Sequence, residues 1–191
     1  MKEEILLGSL MGDTNIYRYK NKYYHLSIEH CIEQEKYAIW KKDNLGINTS
    51  LFKRDRLDKR TNKTYYSCIV HKSSKDYEKY YNMFYTPKKE VSNEILDKLT
   101  DLSVAIWYCD DGWFYQNEKN RCTQLGLATN SFSIESIERI IEWFKKKYNI
   151  NFSLVKRNKS IRLTSKEEIK KFLDIFGKRI PECMNYKKGN I

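Results

Sequence analysis

The chain has 191 residues, enough for one large domain or two fused small ones of roughly 95 residues each. With 36 basic against 25 acidic residues the formal net charge is +11, which favours a polyanionic partner such as nucleic acid. The positive charge is spread over expected strands and loops rather than along one amphipathic helix, which argues against a membrane-surface protein. No apolar window reaches the length of a membrane span, and Met1-Lys2-Glu3-Glu4 is too acidic for a signal peptide, so a soluble, intracellular protein (cytoplasmic or organellar) is expected.

In chain order, Glu3 to Gly12 reads as a helix, followed by strands over Asn15 to Tyr19 and Tyr23 to His30, the second with Leu26 and Ile28 alternating with polar neighbours. Glu33 to Asn44 is helical, Ser50 to Asp58 and Thr64 to Val70 form a hairpin, and Lys75 to Phe84 is a third helix. The pattern then starts again. A helix over Leu102 to Asp110 leads to strands at Trp113 to Gln116 and Arg121 to Thr129. Ser133 caps a helix from Ile134 to Tyr148, and strands Phe152 to Lys156 and Ser160 to Thr164 precede a final helix, Lys166 to Phe176. The second hairpin is expected to be longer in the first half, and the first hairpin longer in the second.

The two halves are related in sequence. With Trp40 placed over Trp143, Gly46-Ile47-Asn48-Thr49-Ser50-Leu51-Phe52-Lys53-Arg54 matches Asn149-Ile150-Asn151-Phe152-Ser153-Leu154-Val155-Lys156-Arg157 at six of nine positions without a gap. The expected architecture is therefore α/β (α+β): two pseudo-symmetric αββαββα repeats, 1–98 and 99–191.

Each repeat opens with an apolar helix ending in an acid, Asp13 and Asp111, 98 residues apart. A carboxylate beside the orphan carbonyls and negative dipole end of a helix is disfavoured. If the two helices pack side by side in parallel, both carboxylates converge and the repulsion calls for a cation; hard oxygen ligands select Mg²⁺ or a similar ion. The plain alternative is that Asp111-Gly112 is a helix stop, with Gly112 left-handed. Lys89 follows Asp13, and Lys187 follows Asp111, at the same 76-residue distance, which sets both apart from the many other lysines. The scattered cysteines Cys31, Cys68, Cys109, Cys122 and Cys183 are not at zinc-ligand spacing with His25, His30 or His71.

Leu6-Leu7-Gly8-Ser9-Leu10-Met11-Gly12-Asp13 and Ile106-Trp107-Tyr108-Cys109-Asp110-Asp111-Gly112 resemble the paired motifs of single-chain LAGLIDADG homing endonucleases. Lys88-Lys89 and the closing Ile180-Pro181-Glu182-Cys183-Met184-Asn185-Tyr186-Lys187 are similar to other segments of that family. The resemblance implies two four-stranded antiparallel saddle sheets over the DNA major groove, packed through the motif helices. It implies Asp13 and Asp111 as metal-binding carboxylates, with the Gly12 and Asp110 carbonyls as auxiliary ligands, and Lys89 and Lys187 organising water and stabilising charge. The cofactor would be Mg²⁺ (or Mn²⁺), the partner double-stranded DNA, the working form a monomer, and the product a double-strand break with short 3′ overhangs. In the second motif the glycine positions become Ile106 and Asp110, while the small pair Ala105 and Cys109 is shifted by one, which leaves the helix register open.

Recognition would come from the strand faces: Arg18, Lys20 and Lys22 at the first turn; Lys53, Arg54, Arg56, Lys59 and Arg60 in the next hairpin; then Asn117, Lys119, Arg121 and Gln124; then Lys156, Arg157, Lys159 and Arg162. The alternative on the same fold is an intron RNA maturase or a catalytically inactive DNA-binding protein.

Overall fold

In the computed structural model the described residues are 2–20, 22–59, 62–85, 88–117 and 123–189, without the side chains of Arg56 and Asp58. Two repeats of one plan are present. The first comprises α1 (Lys2–Met11), β1 (Thr14–Tyr19), β2 (Tyr23–Cys31), α2 (Glu35–Asn44), β3 (Phe52–Asp58), β4 (Lys63–Ser73) and α3 (Tyr77–Phe84). A short linking helix, α4 (Asn93–Lys98), leads to α5 (Asp101–Asp111), β5 (Gly112–Gln116), β6 (Thr123–Ala128), α6 (Ile134–Tyr148), β7 (Ser153–Val155), β8 (Ser160–Leu163) and α7 (Lys166–Phe176). Each repeat forms a four-stranded antiparallel sheet, ordered β1-β2-β4-β3 and β5-β6-β8-β7.

The helix from Ile134 to Tyr148 falls where the sequence puts it, because its signals are local and agree. The Ser133 hydroxyl accepts the Ser136 amide at the start, Ile137, Ile140 and Phe144 recur on the buried face, and Asn149 closes the helix at φ 53°. Two features were not expected. Helix α4 is too short to show a helical period, and two 3-10 turns, Gly177–Arg179 and Glu182–Lys188, carry the chain's end back towards α5. Strands β3 and β4 (7 and 11 residues) outrun β7 and β8 (3 and 4) as expected. The expected longer first hairpin of the second half runs through residues 118–122, outside the described residues; its described strands, β5 and β6, have 5 and 6 residues.

One continuous apolar core joins the halves, with α1 and α5 at its centre. A Cβ on Gly8 would stand 2.3 Å from the Ser103 carbonyl oxygen, and one on Gly12 would stand 2.4 Å from the Asp110 Cβ. The helices are thus parallel and in backbone contact. The register is settled: Gly8 and Gly12 of α1 meet the Ser103, Ile106 and Asp110 face of α5, and Ala105 and Cys109 are ordinary buried residues.

Candidate metal centre and nucleic-acid face

Parallel packing brings the C-terminal ends of α1 and α5 together, and with them Asp13 and Asp111. Gly112 has φ −79° and ψ 151°, so no left-handed stop ends α5; the chain runs directly into β5. Glycine is needed there for closeness instead, since a Cβ would meet the Tyr108 ring at 2.1 Å.

The surroundings of the two acids differ. The Asp13 N–H donates to Asp110 Oδ2 at 3.2 Å, and Asp13 Oδ2 lies 3.5 Å from His30 Nδ1. Burial raises the Asp13 pKa, but the His30 imidazole and the ammonium groups of Lys41 and Lys187 outweigh it and hold the carboxyl below its usual value. Asp111 is pushed up to about 7, first by burial and then by the charges of Asp13 and Asp110, with Lys89 opposing. Burial and neighbouring acids both disfavour its anion, and a divalent cation would relieve that; ligand atoms of Asp13, His30 and Asp110 lie within 4.8 Å of one another, a donor set that fits one.

The lysines reach the same place. Lys89 Nζ donates to the Gly12 carbonyl at 3.3 Å, and Lys187 Nζ to the Gly112 carbonyl at 2.5 Å. Burial lowers the pKa of both, against the pull of the surrounding acids. Each lysine therefore bonds the backbone beside its own repeat's acid.

Behind this centre lies a buried ion pair that the motif reading does not contain. Lys41 Nζ is 2.7 Å from both oxygens of Asp110, both side chains are fully buried, and the Tyr37 hydroxyl donates to Asp110 Oδ1 at 2.9 Å. A signal for it exists in the repeat. The alignment of Trp40 with Trp143 sets Lys41 over Phe144, and the motif alignment sets Asp110 over Gly12. Two departures from symmetry therefore meet and neutralise each other. His30 was also missed, because a lone histidine in an alternating strand gives no sign of what lies across from it.

The expected DNA-contacting residues are divided by the sheets. Arg162 is flanked by buried Ile161 and Leu163 and pairs in register with Gly126 and Ser153, so it points away from the helices; Gln124 lies across from exposed Tyr115 on the same face. Arg54 shares the outer face of the first sheet and binds Glu29 at 3.0 Å. Lys53 points to the opposite face and holds Glu35 of α2 at 2.9 Å. Lys20 and Lys22 are exposed in the first turn, and the Arg18 guanidinium lies 5.8 Å from the Tyr24 ring centre. Lys59, Lys156, Arg157 and Lys159 are exposed at hairpin tips; Asn117 follows β5; Arg56 pairs with Tyr65 in register. Arg60, Lys119 and Arg121 lie outside the described residues. Among the described residues no helix is long and apolar enough to cross a membrane.

A duplicated αββαββα unit with carboxylates paired at the ends of its central helices defines the class. The profile of the LAGLIDADG DNA endonuclease family matches residues 3–172, and the chain belongs to that family. It is 28% identical to the probable intron-encoded endonuclease 1 of Wickerhamomyces canadensis over 98% of this chain and 83% of that protein. It is also 28% identical to the DNA endonuclease I-ChuI of Chlamydomonas applanata, over 82% and 77% of the two chains. The fold superimposes with TM-score 0.87 on the homing endonuclease I-WcaI bound to its DNA recognition sequence, at 23% identity, covering 100% of this chain and 87% of that one.

Proposed function

We propose that this chain is a site-specific homing endonuclease that, as a monomer, makes a Mg²⁺-dependent double-strand break in a long, asymmetric DNA target. The observation that carries this reading is the meeting of the α1 and α5 ends, where the Asp13 N–H reaches Asp110 beside Asp111 and Lys89 and Lys187 bond the neighbouring Gly12 and Gly112 carbonyls. Asp13 and Asp111 would hold the divalent cation (Mg²⁺ or Mn²⁺), with the carbonyls of Gly12 and Asp110 adding neutral oxygens. A carbonyl has two lone pairs, so the Lys89 bond to Gly12 leaves one available. Such a cation offsets charge on the phosphate and acidifies water at neutral pH. Lys89 and Lys187 orient water at the two scissile phosphates and stabilise the charge that develops there. DNA lies across the outer faces of both sheets, where Arg162, Gln124 and Arg54 reach base edges and the tip lysines hold phosphates. Two inequivalent half-sites suit an asymmetric target.

The test is cleavage of a DNA library containing the intron-free form of the gene's own locus, in Mg²⁺ and in Ca²⁺, beside Asp111→Asn. One discrete Mg²⁺-dependent cut, absent from the variant while its DNA affinity persists, is expected. Tight DNA binding with no cut would replace this reading with a DNA-binding regulator. Selective intron RNA binding would replace it with a maturase.

A further inference from the structure

His30 is buried in β2, its ring packed against Tyr37 with centroids 4.9 Å apart. The described residues give neither ring nitrogen a well-formed hydrogen bond; Nδ1 stands 3.5 Å from Asp13 Oδ2, near enough to act on that carboxylate but long for a hydrogen bond. A buried imidazole left unsatisfied is costly and calls for a partner. Ligand atoms of Asp13, His30 and Asp110 all lie within 4.8 Å of one another. Asp110 is already neutralised by Lys41, which leaves Asp13 and His30 as an oxygen and a nitrogen converging on one point.

Among the described residues the second repeat lacks this arrangement. Thr14 pairs with Ile28, two residues before His30, and Gly112 pairs with Leu127, two residues before Thr129. At that equivalent position the Thr129 hydroxyl is spent on the Lys159 carbonyl at 2.6 Å. The Asp13 side of the site therefore offers an imidazole nitrogen that the equivalent position of the second repeat does not.

We propose that His30 is a nitrogen ligand, on the Asp13 side, to the cation that Asp13 and Asp111 share, so that the site prefers a first-row transition ion such as Mn²⁺ over Mg²⁺. The proposal rests on the metal reading above. Mg²⁺ takes oxygen donors and gives up water reluctantly, whereas imidazole binds transition ions in the same charge class well.

The experiment is pulsed electron paramagnetic resonance of Mn²⁺ bound to the full chain carrying ¹⁵N only at histidine, together with Mn²⁺ and Mg²⁺ titrations. A ¹⁵N modulation from a directly bound histidine is expected. It should vanish in His30→Gln, whose Mn²⁺ affinity falls on the order of tenfold with Mg²⁺ affinity unchanged. The wild-type spectrum decides the matter even if the variant folds poorly. Absence of histidine modulation, with Mn²⁺ binding still lost in Asp13→Asn, would overturn the role of His30 and leave the metal reading standing. Modulation that persists in folded His30→Gln would also overturn it. Mn²⁺ affinity unchanged in Asp13→Asn would overturn the metal reading itself.

Discussion

The backbone N–H of Asp13 is held by the carboxylate of Asp110, so the acid of one repeat is positioned by the residue next to the acid of the other. Asp110 can do this only because Lys41 and Tyr37 fix its two oxygens. The paired acids therefore depend on a charge buried behind them.

Removing one member of that pair is expected to be costly. Lys41→Met leaves Asp110 buried without a counter-charge and should destabilise the protein by about 3–5 kcal/mol in urea unfolding. The double variant Lys41→Phe with Asp110→Gly copies the apolar arrangement of Phe144 and Gly12 and should recover most of that loss. A single Lys41→Met variant as stable as the parent would mean the pair is not buried as described.

Close approach of α1 and α5 gives a second expectation. Gly8→Ala drives a Cβ into the Ser103 backbone and should cost about 1–3 kcal/mol. Gly177→Ala is the control: the position has right-handed helical angles, and its Cβ would meet only Leu173 at 3.8 Å. It should be neutral or slightly stabilising in the same denaturation series.

Asp111 sets the pH dependence. Its folded pKa, about 7, lies above the ordinary 3.8, so the folded state holds a proton that the unfolded state releases first. Stability contributed by that proton is complete below about pH 4, declines from pH 4 to 7, and is lost above 7, a span worth a few kcal/mol at roughly 1.4 per unit. Without divalent ions, Asp111→Asn should melt higher than wild type at pH 8 and equally at pH 4. Mg²⁺ added at pH 8 should raise the wild-type melting temperature and leave the variant's unchanged.

On the recognition face, Arg162→Ala should weaken target binding or relax preference at one part of the site, by about 1–3 kcal/mol if it reads a base. Lys53→Ala should leave base preference unchanged, because its ammonium is turned to α2 and Glu35. Competition binding with single-base target variants distinguishes the two.

How much of this was legible depended on range. Asp13, Asp111 and the order of the elements were readable because duplication writes each signal twice and local capping at Ser133 marks a boundary. The side of the sheet that Arg162 takes follows from its neighbours Ile161 and Leu163. Lys53 was not assignable in the same way: its strand reads Phe52-Lys53-Arg54-Asp55 with no alternation, and its face is fixed only by pairing with Cys68. His30 and Lys41 lay further out of reach, since their partners are 17 and 69 residues away and neither belongs to a motif.

The segment carrying Lys89 belongs to both halves. Its neighbour Glu90 donates its amide to Phe84 of the first repeat, while its carboxylate accepts from Ser133 and Ser136 of the second, and the Val91 amide also goes to Ser136. A chimera that joins the first repeat of this chain to a foreign second repeat would lose the anchor of its own lysine, even with every motif residue kept. Shuffling of halves within such a scaffold is thereby limited to second repeats that bring a matching hydroxyl pair at the start of their long helix.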